Sequence, residues 1–303
     1  MNAIEVTNLT KEYPHLTAVN NVSFNVAVGE VFGILGENGA GKTTTLEMIE
    51  GLRRPTSGEV TVLGHNVRTE LGAIKQKIGV QLQSSAYYKY LTVTEILRLF
   101  GGFYEKSLPA AQLLKMVGLE SKAKSLIGQL SGGQQQRFSI AASLVNDPEI
   151  VFLDEPTTGL DPNARRRLWK LITDIKAKGK TIILTTHYLE EAELLADRVA
   201  IMDKGKIIVL DQTHKLVEQT KVPFVITAHL PKLAESTQKK LQKLGTLTTR
   251  GGKDDWFELG LKTQAKLNTA LIEIAALKPD SITVKRATLE DLFIELTGKK
   301  LTS

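Results

Sequence analysis

One stretch limits what this chain can fold into more than any other: Val31–Thr45, VFGILGENGAGKTTT. The apolar run Val31, Phe32, Ile34 and Leu35 reads as a buried strand, and Gly36–Thr43 fits the pattern G-x-x-x-x-G-K-[ST]. A loop of this kind wraps backbone N–H groups around phosphates, and the helix that follows presents its positive N-terminal end to them. Gly36, Gly39 and Gly41 permit backbone angles and a close approach that a Cβ would block. Lys42 can reach β- and γ-phosphates, and Thr43 can offer its hydroxyl to Mg²⁺. The next residues, TTTLEMIE, form helix readily, so strand, loop and helix come in the order a nucleotide site needs.

The rest of the composition narrows the setting. A length of 303 residues suits one large domain or, better, two. Hydrophobic content of 42% and charged content of 24% are those of a globular protein. No apolar run approaches the ~18–20 residues that span a bilayer, and MNAIEVTNLTKEY lacks a basic-then-apolar leader. With no Cys there is neither a disulfide framework nor a thiolate metal site, which fits the cytoplasm. The net charge of +6 is spread among nearly as many acids as bases, with no long basic block. That argues for a solvated surface rather than a nucleic-acid or membrane footprint.

Along the chain, residues 3–7 and 22–28 alternate like strands, and Gly58–Leu63 reads as another. Between the first two lies KEYP, whose Tyr13 can stack on a purine or simply sit at a surface turn. Lys77–Gln83 is apolar enough for a strand that ends in a polar amide. Thr92 or Thr94 can cap a helix with Val93, Ile96, Leu97 and Phe100 on one face. Pro109–Val117 continues a small helical insertion over 93–127. LSGGQQQR (130–137) then puts Gly132 and Gly133 at a helix start, with Ser131 as an N-cap hydroxyl, which makes a second possible anion site.

Glu149–Pro156, EIVFLDEP, is an apolar strand that delivers two carboxylates at its C-terminal end, where open α/β sheets bind ligands. Asp154 can hold Mg²⁺, while Glu155 points elsewhere and is free to act as a base. GLDP (159–162) turns into a helix with Leu168, Leu171, Ile172 and Ile175 on one face and Arg165–Arg167 solvated. KTIILTT (180–186) is a further buried strand, and His187 leaves its end as a candidate γ-phosphate sensor. Val199–Met202 and Lys206–Leu210 read as a hairpin. Near residue 215 the character changes. Strand–helix–strand follows twice over, at 224–229, 231–244, 246–250, 256–259, 263–277 and 281–285, with a last helix at 288–297. This is the ferredoxin-like order. The tail carries no Gly-rich loop, His cluster or paired acids that suggest chemistry, and reads as a regulatory or assembly domain.

Together, GENGAGKTT (36–44), LSGGQQQR, IVFLDEP (150–156), GLD (159–161) and His187 resemble the ATPase subunit of an ATP-binding cassette (ABC) transporter, over roughly residues 1–215. LSGGQ is the discriminating element. ATLEDLFIELTGK (287–299) is similar to the tail of multidrug, antibiotic or lipid-type exporter ATPases. The resemblance implies an α/β fold: a P-loop NTPase domain (1–215) with an antiparallel β subdomain and a helical subdomain at about 90–140. A small α+β ferredoxin-like domain (216–303) would follow.

The resemblance also assigns roles. Gly36, Glu37, Asn38, Gly39, Ala40, Gly41, Lys42, Thr43 and Thr44 would hold ATP, and Tyr13 would stack on its adenine. Gln83 (Gln81 being the competing choice) would touch Mg²⁺ and the attacking water, and Asp154 and Thr43 would serve the Mg²⁺. Glu155 would be the base and His187 would serve catalysis beside it. Ser131, Gly132, Gly133 and Gln134 would cover ATP held by a second copy, with Asp161 communicating across the pair. Thr158–Gly159 stands where Ser-Ala is frequent in the family, which bears on how the two sites couple. Such a chain would pair head-to-tail with a second copy, or a matching ATPase subunit, and would power a separate membrane permease from the inner face of the membrane. Its work would be export of a drug, lipid or similar substrate. The competing function is a soluble ABC ATPase acting on nucleic acid, ribosomes or cluster assembly, but those members carry coiled-coil insertions or paired cassettes, which this chain lacks. A GTPase-type switch would leave LSGGQ and Glu155 unexplained.

Overall fold

A computed structural model describes residues 1–81, 87–229, 233–250 and 256–298. It divides into two compact units, Met1–Gln212 and a second beginning at Thr213. The first unit opens with β1 (Asn2–Tyr13), β2 (Leu16–Ala27), β3 (Val31–Leu35) and α1 (Lys42–Ile49). Then come β4 (Ser57–Val62), β5 (His65–Asn66), α2 (Leu71–Lys77) and β6 (Ile78–Gln81). Helices α3 (Val93–Gly101), α4 (Ala110–Met116) and α5 (Gly132–Ser143) precede β7 (Ile150–Asp154) and α6 (Pro162–Ala177). The unit closes with β8 (Thr181–Thr186), α7 (Leu189–Leu195), β9 (Arg198–Asp203) and β10 (Lys206–Gln212).

Two sheets form. An antiparallel sheet has the order β2-β1-β4-β5, and a six-stranded sheet has the order β10-β9-β3-β8-β7-β6. Within the larger sheet only the β9–β10 pair is antiparallel. Its central strands β3, β7 and β8 are buried along their whole length. Helices cover both faces of such a sheet, so its strands are unbroken apolar runs rather than alternating ones. The parallel register decides where chemistry can occur, because Leu35 pairs with Thr186 and Asp154 with Thr185. The glycine loop, the acidic pair and His187 therefore all leave the sheet at one end.

Strands β1 and β2 extend past the spans the sequence suggests. Lys11 and Tyr13 belong to β1, and the KEYP segment forms the tip of a hairpin rather than a separate loop. The polar residues there alternate with the buried Leu9 and Val19, and cross-strand pairing carries the strands outward. Lys77 closes α2 instead of opening a strand, and the predicted strand over 77–83 is β6 at Ile78–Gln81, with 82 and 83 outside the described residues. Helix α3 begins at a capping box: Thr92 Oγ1 accepts from Glu95 N at 3.3 Å, and Glu95 Oε2 accepts from Thr92 N at 2.8 Å.

The second unit contains α8 (Thr213–Glu218), β11 (Phe224–His229), α9 (Glu235–Leu244) and β12 (Thr246–Arg250). It continues with β13 (Trp256–Leu261), α10 (Gln264–Ala275), β14 (Ser281–Arg286) and α11 (Leu289–Thr297). Its antiparallel sheet has the order β12-β13-β11-β14, the ferredoxin-like arrangement. Ile226, Phe257 and Leu259 on one face of the sheet pack with Leu241 of α9 and Leu267 and Ile274 of α10 into a core of its own.

Candidate active site

Helix α1 starts directly after the glycine loop, with Gly41 as its N-cap at φ 102°. No side chain caps it, so its first N–H groups face the loop. Gly41 is required by its surroundings as well as by its dihedral: a Cβ there would meet the Ala18 carbonyl oxygen at 2.4 Å. Gly36 is held likewise, 2.4 Å from Met202 O by the same construction, and Gly39 adopts φ 83°. Ala40 N donates to Glu37 O at 3.1 Å, while Gly205 N donates to Ala40 O at 3.0 Å, fixing the loop to the turn after β9. Asn38 and Gly39 are exposed at its crest, and Thr43 and Thr44 are half-buried in the first turn of α1.

Lys42 is 4% exposed. Its ammonium donates to Gly36 O at 2.8 Å and Glu37 O at 3.1 Å, and it lies 3.1 Å from Glu155 Oε1. Thr43 Oγ1 donates to Asp154 at 3.1 Å from Oδ2, and the Thr185 hydroxyl donates to Asp154 Oδ1. Successive residues of a strand point to opposite faces, yet Asp154 and Glu155 both turn to the glycine loop. The reason is backbone: Glu155 has φ 47°, a left-handed conformation rare outside Gly, Asn and Asp. Glu155 N is held there by Thr185 Oγ1 at 3.0 Å. Glu155 is therefore not free, as the sequence suggests, but ion-paired with Lys42.

The other oxygen of Glu155, Oε2, accepts from Thr158 Oγ1 at 3.2 Å and lies 3.1 Å from His187 Nδ1. That last approach is close but off-line, and Nδ1 makes no hydrogen bond among the described residues. Burial pushes the Glu155 carboxyl up, but Lys42 and His187 outweigh it and hold the group below its ordinary value. Burial also raises Asp154, against the pull of the Thr185 and Thr43 bonds, and there burial wins. The Thr43 hydroxyl and the Asp154 carboxylate offer adjacent hard oxygen donors, the donor set that suits Mg²⁺ shared with phosphates.

Ser131, Gly132, Gly133 and Gln134 line a different cavity of about 550 Å³, together with Asp161 and Arg137. No residue of Gly36–Thr44 is in its walls. Ser131 is the N-cap of α5, as the sequence suggests, and Gln134 Oε1 accepts from Ser131 N at 2.9 Å. Asp161 caps α6, with Oδ1 2.9 Å from both Asn163 N and Ala164 N. Of the arginines predicted to be solvated, Arg165 departs: its guanidinium lies 4.2 Å from the centroid of the Tyr188 ring. Tyr13, at the hairpin tip, is 37% exposed, flanked by Lys11 at 5.3 Å and Arg53 at 5.8 Å from the ring centroid. Gln83 lies outside the described residues, and its alternative Gln81 is buried at the end of β6. From sequence, Thr185 carries no expected role and Thr158 only one in coupling the two sites; the signal for their contacts with the acids is two threonines closing an apolar strand and two following the acidic pair.

A buried parallel sheet, a glycine loop at a helix start, and a lysine against a paired acid define a P-loop NTPase. The ABC transporter family model matches residues 19–158. The Nod factor export ATP-binding protein I of Burkholderia lata is 36% identical over 98% of this chain and 98% of its own length. The linearmycin resistance ATP-binding protein of Bacillus subtilis is 34% identical over 98% of this chain and 99% of its own. Among solved structures, a dimeric ATP-binding cassette in a post-hydrolysis state with ADP and Pi is 32% identical, with a TM-score of 0.64 over 69% of this chain and 98% of that one. The chain belongs to the ABC transporter family, as an ATP-binding ATPase.

Proposed function

We propose that this chain is the ATPase subunit of an export system, acting as a head-to-tail pair on a separate membrane permease at the cytoplasmic face. The observation that carries this reading is the separation of the two half-sites. Lys42, Thr43, Asp154 and Glu155 form one cluster, and Ser131, Gly133 and Asp161 line a cavity without them. A head-to-tail pair brings the second cavity of one copy over the first cluster of the other. The export relatives support the direction of transport. Residues 1–215 would carry the ATP site, and the tail from 216 would serve regulation or assembly.

In this reading the loop from Gly36 to Thr44, with Glu37, Asn38, Gly39, Ala40 and Gly41 at its turn, gives backbone N–H groups to the phosphates. Lys42 exchanges its Glu155 partner for the β- and γ-phosphates, and Tyr13 stacks on adenine. Thr43 and Asp154, with Gln83, would hold Mg²⁺, which supplies charge stabilisation on the transferring phosphoryl oxygens. Once Lys42 has turned to the phosphates, Glu155 is released to accept a proton from the attacking water. Its lowered basicity beside Lys42 rises when that neighbour is drawn away. His187, beside Glu155, reports the γ-phosphate. Gly132, Gly133, Gln134 and Ser131 of the second copy close the γ-phosphate from the other side, and Asp161 connects the two sites.

A general base contributes about 10²–10⁴ in rate. Glu155→Gln is expected to bind ATP at least as tightly as the parent, since Lys42 is no longer paired, and to turn over at least about 100-fold more slowly. Near-parental turnover in a phosphate-release assay would remove Glu155 from the role of base. Lys42→Ala is expected to abolish ATP binding by calorimetry, and an unchanged affinity would contradict the phosphate assignment.

A further inference from the structure

Glu191 has no part in the roles assigned above, yet it is wholly buried immediately behind them. It lies on α7, one turn beyond His187, and its Oε1 accepts from Trp169 Nε1 of α6 at 3.1 Å. Helix α6 is the one that Asp161 caps. The same two helices are tied again nearer the site, where Arg165 stacks on Tyr188 and the Tyr188 ring lies 4.1 Å from the His187 ring centroid. Three polar atoms gather in this buried space without a hydrogen-bond partner among the described residues: Glu191 Oε2, Thr157 Oγ1 and Arg165 Nε. Thr157 follows Glu155 by two residues and is itself fully buried. Burial raises the Glu191 carboxyl above its ordinary value, against the pull of Thr186, Thr157, Trp169 and Arg165.

A buried carboxylate is expensive unless its neighbours satisfy it. Here the neighbours come from each of the three segments that carry Glu155, Asp161 and His187. We infer that Glu191 is a positioning residue, whose carboxyl group locks those three segments into one unit so that they respond together to the γ-phosphate. This rests on the roles given above to Glu155, Asp161 and His187. Helix α6 cannot shift, carrying Asp161, without disturbing Trp169 and Arg165, and through Glu191 that disturbance reaches His187 and the backbone after Glu155. Glu191 touches neither nucleotide nor water; it acts through the groups that do.

The test is Glu191→Gln in the full-length protein. It keeps the volume and the acceptor for Trp169 but replaces the second carboxyl oxygen with an amide nitrogen, which cannot accept a hydrogen bond from Thr157 or Arg165. Expected is a fall in kcat of about tenfold, equivalent to about 1.4 kcal/mol, with KM for ATP within about twofold and the thermal midpoint unchanged. Trp169→Phe, which removes the donor together with part of the ring volume, is expected to lower kcat in the same way. The double variant should be no slower than the slower single one, as for residues acting in one network. Parental kcat in Glu191→Gln overturns the inference, and so does a joint change of kcat, KM and thermal midpoint, which marks a purely structural group. Glu155→Gln measured alongside separates the two readings: if it is inactive while Glu191→Gln is normal, only the positioning role fails, and if it is active the base assignment fails by itself.

Discussion

Lys42 and Glu155 are 4% and 7% exposed, and in that dry setting each answers for the other's charge. Removing one member of a buried pair leaves an uncompensated charge, so the two substitutions described above should differ in kind: Glu155→Gln frees a cation for phosphate, whereas Lys42→Ala strands a carboxylate. Glu50 is another buried acid, at the C-terminal cap of α1, and among the described residues no ion pair reaches it. Burial, with Asp154 and Glu47 nearby, pushes its carboxyl to about 8. The unfolded chain releases that proton near the ordinary carboxylate value of about 4.3. Between those values the folded state binds more protons than the unfolded one, so stability falls as pH rises and the loss is complete above pH 8. At about 1.4 kcal/mol per pH unit this is a penalty of a few kcal/mol. Glu50→Gln is therefore expected to raise the thermal midpoint at pH 8 and to leave it nearly unchanged at pH 4.5. A gain of equal size at both pH values would mean that the carboxyl proton is not the cause.

At the scale of elements, the sheet was legible wherever strands are buried on both faces. VFGIL, IVFLD and TIILTT are continuous apolar runs, and they became β3, β7 and β8. The hairpin of β1 and β2 was only half visible, because the outer residues owe their conformation to cross-strand pairing that their own composition does not announce. The site divides in the same way. Lys42, Thr43, Asp154 and His187 could be named because each stands at the end of an apolar strand or at a glycine loop. The contact of Glu155 with Lys42 could not, since it depends on a left-handed backbone and on Thr185 from a neighbouring strand. The glycine loop offers the sharpest element-level test. Gly41→Ala adds a Cβ 2.4 Å from Ala18 O at a φ of 102°, and such clashes and strain cost about 1–3 kcal/mol. A lower thermal midpoint together with weakened ATP binding is expected. A variant that melts and binds like the parent would contradict the packing of the loop against β2.

The whole molecule has two units with separate cores, and the candidate site residues all lie in the first. Among the described residues no helix is long and apolar enough to cross a membrane. The second unit was legible as alternating strands and helices because each segment is short and cleanly bounded. Its role was not, since its core is made of ordinary apolar packing. The proposal that joins these scales is the composite site: one chain carries both halves of an ATP site, but the halves meet only across a pair. Sedimentation velocity on Glu155→Gln protein, with and without ATP and Mg²⁺, tests it most directly. The account predicts monomer without nucleotide and dimer with it, the dimer being lost when Ser131→Arg is added. A protein that binds ATP yet sediments as a monomer at every concentration would contradict it.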